Sequence, residues 1–174
     1  MKHYDLSPDL AMSPTVGLLH AMIDYNYRRL LRLVEGTEEL LDYRGPRGEL
    51  NSIGQLIRHL TVVDLHWVYR LQSRQVPKAQ IQRFGPMYDE DGKLPAVQGL
   101  TLTALLSEYE EVQEELKRLC RGLQDEDLER VVPFENGHSA SIRWGIWHIA
   151  DHSRHHYANI AHLKKVYRSE TAEA

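Results

Sequence analysis

Along this chain, apolar residues recur three or four apart in four long segments, with charged and polar residues filling the gaps. That is the period of an amphipathic helix, and no segment shows sustained strand alternation. The first stripe is Val16, Leu19, Ile23, Tyr27, Leu30 and Val34. Ser13-Pro14 opens it as an N-cap followed by proline at the first helical position, and Gly36 closes it. Asn51 or Ser52 caps the second stripe, Ile53, Leu56, Leu60, Val63, Trp67 and Leu71. The third starts near Thr101 or Thr103 and runs through Leu105, Tyr109, Val112, Leu116, Leu119 and Leu123. The fourth opens at Ser139 or Ser141 and reaches Tyr167, and the tail Ser169 to Ala174 is expected to fray. The predicted helices cover residues 14–35, 52–73, 102–122 and 140–167.

Short helical pieces are expected at Thr37 to Leu41 and at Gln124 to Arg130, and a turn at Glu135-Asn136-Gly137. Residues 74–99 form the longest connection, punctuated by Pro77, Gly85, Pro86, Gly92, Pro95 and Gly99. Connections this long usually serve a function or cover something. Around Phe84, Met87 and Tyr88 it is apolar enough for a lid or a contact between subunits. Four amphipathic helices of this length predict an all-α fold, a four-helix bundle with its long connection between the second and third helices. Residues 1–174 read as one domain.

Composition narrows the function. The chain is 42% hydrophobic and 26% charged with a net charge of -4, which argues against a general nucleic-acid binder. One cysteine, Cys120, excludes an intramolecular disulfide and fits a cytoplasmic location. Its leucine neighbours on the third helix mark it as buried packing. Met1 to Asp5 carries no signal-peptide pattern, and no stretch approaches the ~20 apolar residues of a membrane helix. No membrane partner is expected.

Histidine changes the picture most. Four of the ten histidines lie between His148 and His156, inside the fourth helix. Neutral imidazole suits borderline transition metals, and two imidazoles four apart on a helix can share one ion. The stripe sorts them. Its inward positions are Ile142, Gly145, Ile149, His152, His156, Ile160, Leu163 and Tyr167. His148 and His155 each precede an inward position by about 100° and point sideways. Imidazoles facing a core need hydrogen bonds or a metal. Further ligands should come from another helix, with His59 on the edge of the second stripe as the best candidate. His66 lies two turns beyond it, and His20 on the first helix is a weaker choice. No Glu follows His148, so this is not the H-E-x-x-H protease motif.

These residues resemble a known family. Ser52-Ile53-Gly54-Gln55-Leu56-Ile57-Arg58-His59-Leu60, with Trp67 eight residues on, is similar to the second helix of DinB/YfiT-like proteins. The run Trp147 to Ile160 resembles their last long helix, with Tyr157-Ala158-Asn159 where many members have Arg-Gly-Gln. The resemblance implies a metal-binding four-helix bundle in which His59, His152 and His156 hold one divalent transition metal ion, zinc or nickel foremost. Three protein ligands leave a coordination position open, as in catalytic rather than structural sites. Characterised relatives include bacillithiol S-transferases and mycothiol-dependent isomerases. The resemblance therefore implies a metal-dependent transferase that brings a small-molecule thiol to an electrophile, and a homodimer. A non-enzymatic metal-binding stress-response bundle is the rival reading. No catalytic residue beyond the ligands is identified.

Asp151, His155 and Asp64 are possible outer partners of the ligands, although a solvated surface is the default for each. Trp144 and Trp147 are placed to line an entrance. Arg28, Arg29 and Arg32 form a basic cluster on the first helix that reads as a solvated face.

Overall fold

The computed structural model describes residues 3–173. Five helices and one small sheet make up the fold. They are α1 (Pro14–Val34), α2 (Ile53–Arg70), α3 (Lys78–Phe84), α4 (Leu102–Gly122) and α5 (Ile142–Glu173), with strands β1 (Val131–Pro133) and β2 (Ser139–Ser141). Helix α2 packs on α4 and α5, and α1 packs on α5 and α4. Among the described residues, no helix is long and apolar enough to cross a membrane.

Helix α2 is the centre of the structure. Ser52 and Gln55 build a reciprocal capping box: Ser52 Oγ accepts from the Gln55 backbone N–H at 3.2 Å, and Gln55 Oε1 accepts from the Ser52 N–H at 3.0 Å. The Gln55 amide then donates to the Leu94 carbonyl at 2.7 Å, which ties the long connection to the helix start. Nearly every residue of α2 is buried, polar ones included. The helix is enclosed on all sides, so a single apolar stripe describes only part of its contacts.

Two apolar clusters form the core. One gathers Trp67, Val68, Leu116, Cys120, Ile142 and Ile146; the other gathers Leu30, Val34, Ile53, Leu60, Tyr109 and Ile160. On α2 the second cluster reaches Leu60 and the first begins at Val62. On α5 the first ends at Ala150 and the second resumes at Ile160. His152 and His156 fall in the gap on α5, and His59 faces them from near the end of the second cluster's stretch of α2.

Several expectations are corrected here. The chain is mostly helical but not all-α. Residues around Ser139, expected to open the last helix, instead form β2, paired antiparallel with β1 in the register Val131↔Ser141 and Pro133↔Ser139. Asn136 and Gly137 both adopt positive φ (56° and 77°), which lets the chain reverse there. The hairpin carries Phe134 onto Trp67, ring to ring at 5.4 Å. The 74–99 connection contains helix α3, anchored where the Arg58 side chain donates to the carbonyls of Phe84 and Arg83. Ser13 makes no side-chain cap for α1. Asp125 fills that role from a distant turn, its carboxylate accepting from the backbone N–H groups of Thr15 and Val16 at 3.0 Å. The tail expected to fray is helical through Glu173, because Tyr43 donates to Glu170 at 2.6 Å and packs edge-on against Tyr167; Ala174 lies outside the described residues.

Candidate metal centre

Helices α2 and α5 bring three imidazoles to one point. His59 Nε2 lies 3.2 Å from His152 Nε2, and His152 Nε2 lies 3.0 Å from His156 Nε2. The ligand atoms of all three lie within 4.8 Å of one another, and among the described residues this is the only such group of three. Zinc–imidazole bonds of 2.0–2.1 Å place tetrahedral ligand nitrogens about 3.3 Å apart. The two close separations are near that value, so the donor set fits a first-row divalent ion.

The electrostatics agree with the geometry. Burial, reinforced by the neighbouring imidazoles, pushes His152 and His156 down to about 3. Burial also lowers His59, partly offset by the Met87 backbone. All three rings are therefore neutral at physiological pH, the form that ligates. Neutral rings with converging nitrogens cannot all satisfy one another by hydrogen bonds. The Nδ1 atom of His152 is buried with no hydrogen-bond partner. A cation at the Nε2 convergence point would balance the lone pairs brought together there, while Nδ1 stays free to donate as N–H.

The surroundings fix the rings. Asn26 on α1 donates to the Ala150 carbonyl at 2.7 Å and to Ser153 Oγ at 3.1 Å, which sets the position of α5 beside His152. The Asn159 amide lies 3.4 Å from His156 Nδ1 and 3.3 Å from His155 Nε2. Turned so that its oxygen meets Nδ1–H, it selects the tautomer that leaves Nε2 free. His148 is not a ligand: it stacks on Trp144 at 4.6 Å and 9°, and its other neighbour in the stack is His152 at 5.8 Å. Trp144 is thus the outer end of an aromatic wall leading to the cluster. Tyr88, on the long connection, packs on the His59 ring at 5.6 Å. Phe84 belongs to the core, and Trp147 stands exposed.

His20 is buried on α1 and His66 is half-buried farther along α2; neither joins the cluster. Asp151 and His155 are exposed. Asp64 corrects the surface reading: it is fully buried, accepts from Gln113 at 2.7 Å and Tyr109 at 3.2 Å, and is pushed up to about 7 by burial. Cys120 is buried with its thiol pushed up to about 12, so it is packing and not a nucleophile.

The DinB superfamily model matches residues 22–160. The chain belongs to the DinB superfamily. It is also 42% identical over 171 residues to the "Uncharacterized protein YkkA" of Bacillus subtilis (strain 168), covering 97% of each chain. The DinB match covers α2, the part of α5 up to Ile160, and all three histidines of the cluster.

Proposed function

We propose that this DinB-superfamily protein is a four-helix bundle that holds one divalent transition metal ion, zinc or nickel first, through His59, His152 and His156. On this reading it is a metal-dependent transferase acting on a low-molecular-weight thiol. The convergence of three neutral imidazoles, with His152 Nε2 3.2 Å from His59 Nε2 and 3.0 Å from His156 Nε2, carries the reading. The donor chemistry supports it too: three nitrogen ligands without a fourth protein ligand make an open site rather than a closed structural one. The ion would supply Lewis acidity that lowers the pKa of a thiol or water reaching it.

The chain's own residues provide the remainder. His152 is only half-buried, so the cluster is approachable from outside. Trp144 and His148 form a flat wall beside that approach, suited to the apolar part of an electrophile. Tyr88 covers the His59 side and limits water there. Asn159, with its amide turned to present the oxygen, would hold His156 in the ligating tautomer.

The test is a turnover screen with several small thiols and monochlorobimane, run on metal-free protein and after adding zinc or nickel. Metal-dependent conjugation that disappears in His152→Ala supports the transferase. Stoichiometric metal binding with no turnover for any thiol instead favours the non-enzymatic bundle. Less than about a tenth of an equivalent of metal after reconstitution removes the metal site altogether.

A further inference from the structure

A second concave site lies two turns beyond His59 on α2. It has a volume of about 480 Å³ and is lined by His66, Arg70, Ser73, Arg74, Ile81 and Phe134 among others. His66 is seven residues from His59, about 10 Å along the helix axis. None of the three clustered histidines lines this cavity.

Its charge is unusual for a chain with net charge -4. The Arg70 guanidinium is held in place over the rings of Trp67 (4.7 Å) and Phe134 (5.0 Å). Its carboxylate neighbour is Glu135, at 3.5 Å. Arg74 packs over Tyr69 and donates to the neutral Gln72 side chain at 3.3 Å; among the described residues it has no carboxylate partner. Burial, and then Arg70, lower His66. Arg70 and the exposed Arg74 thus bring two cations to the cavity, and Glu135, the carboxylate beside Arg70, does not line it.

The C-terminal end of a helix ordinarily repels anions, but here its carbonyls are occupied. The Tyr69 carbonyl accepts from the backbone N–H groups of Gln72 and Arg74, the Arg70 carbonyl accepts from Ser73, and the Val68 carbonyl accepts from the Gln72 side chain. Ser73 takes the left-handed conformation (φ 54°) that makes this closure possible, and it lines the cavity. Phe134 and Ile81 supply an apolar wall next to the cations.

The geometry points to an anion-binding site at Arg70 and Arg74 for a small molecule with a carboxylate or phosphate beside a flat apolar group. Guanidinium forks match both oxyanions, and the aromatic wall selects against a bare ion. The site stands apart from the metal cluster and its test needs no metal.

Full-length ¹⁵N-labelled protein titrated with phenyl phosphate in one series and benzoate in another, at constant ionic strength, decides it. Saturable shifts of the amides of residues 73–76 are expected for at least one probe, and which probe saturates identifies the anion. Arg74→Gln should weaken that binding at least tenfold, while Arg118→Gln on the exposed face of α4 should leave it within twofold. Linear, non-saturating shifts with both probes up to 50 mM overturn the site. So does saturation undiminished in Arg74→Gln, or an equal loss in Arg118→Gln, which would mark a bulk-charge effect.

Discussion

His156 Nε2 sits 3.0 Å from His152 Nε2, one helical turn farther along α5, while His155 is exposed. One residue of register separates a cluster member from a bystander. Replacing His59, His152 or His156 by Ala should lower zinc or nickel affinity by more than about 100-fold, beyond the 10–100-fold that loss of an outer partner costs. His148→Ala should keep affinity within a few-fold, and Asn159→Ala should cost about tenfold through the lost hold on His156. Competition titration with a chromophoric chelator measures all five variants. Equal losses in His148→Ala and His152→Ala would refute this assignment.

Metal should also stabilise the fold, because the three nitrogens converge only in the folded chain. A ligand at 100 times its Kd adds about 2.7 kcal/mol. For a chain of this size that raises Tm by roughly 5–10 °C. Thermal unfolding of metal-free protein, with and without excess zinc, should show the shift in the parent and not in His59→Ala. Calorimetry that finds no shift despite bound metal would show that the unfolded chain binds the ion as well as the folded one, against a site assembled by the fold.

Much of the site was legible because α5 is amphipathic: its stripe alone separates His152 and His156 from His148 and His155. The same method failed on α2 at Asp64. That helix is enclosed by neighbours, so residues off its stripe are buried as well. The signal was present in its composition, since between Ile53 and Arg70 only Arg58, Asp64 and Arg70 are formally charged. The hairpin was missed because three-residue strands are too short to show alternation, although Asn136-Gly137 after Val131-Val132 marks a reversal. The Asp125 cap on α1 spans 110 residues, and no local pattern encodes it.

Gly145 is required by contact rather than by backbone conformation. A Cβ there would lie 2.6 Å from Trp67 Cζ3 and 2.9 Å from Leu71 Cδ2. Gly145→Ala should therefore cost about 1–3 kcal/mol as an overpacked core, despite the better helix propensity of alanine. Trp67 must move, and it packs on His148 and under Arg70, so the near-UV circular dichroism should change together with stability. Urea unfolding gives the first number. A stability equal to the parent would show that α5 and α2 pack less closely at this point.

Asp64 provides a pH signature of the core. Its carboxyl stands at about 7 in the folded protein because it is buried, against 3.8 for a solvated aspartic acid, while the hydrogen bonds from Gln113 and Tyr109 oppose the rise. The folded state thus holds this proton more tightly than the unfolded chain. The stabilisation from the neutral acid is complete below pH 3.8 and is lost progressively as pH rises to about 7, after which it is flat. Asp64→Asn keeps a neutral side chain of the same shape and can still accept from Gln113. Relative to the parent, the variant should gain stability with rising pH between about 4 and 7 and hold a constant advantage above, on the order of 2–4 kcal/mol. The difference between the two proteins isolates Asp64 from the histidines, which titrate in both. Urea unfolding of parent and variant at half-unit steps from pH 4.5 to 8.5 measures it, and a difference that does not vary with pH would mean that Asp64 is ionised in the core.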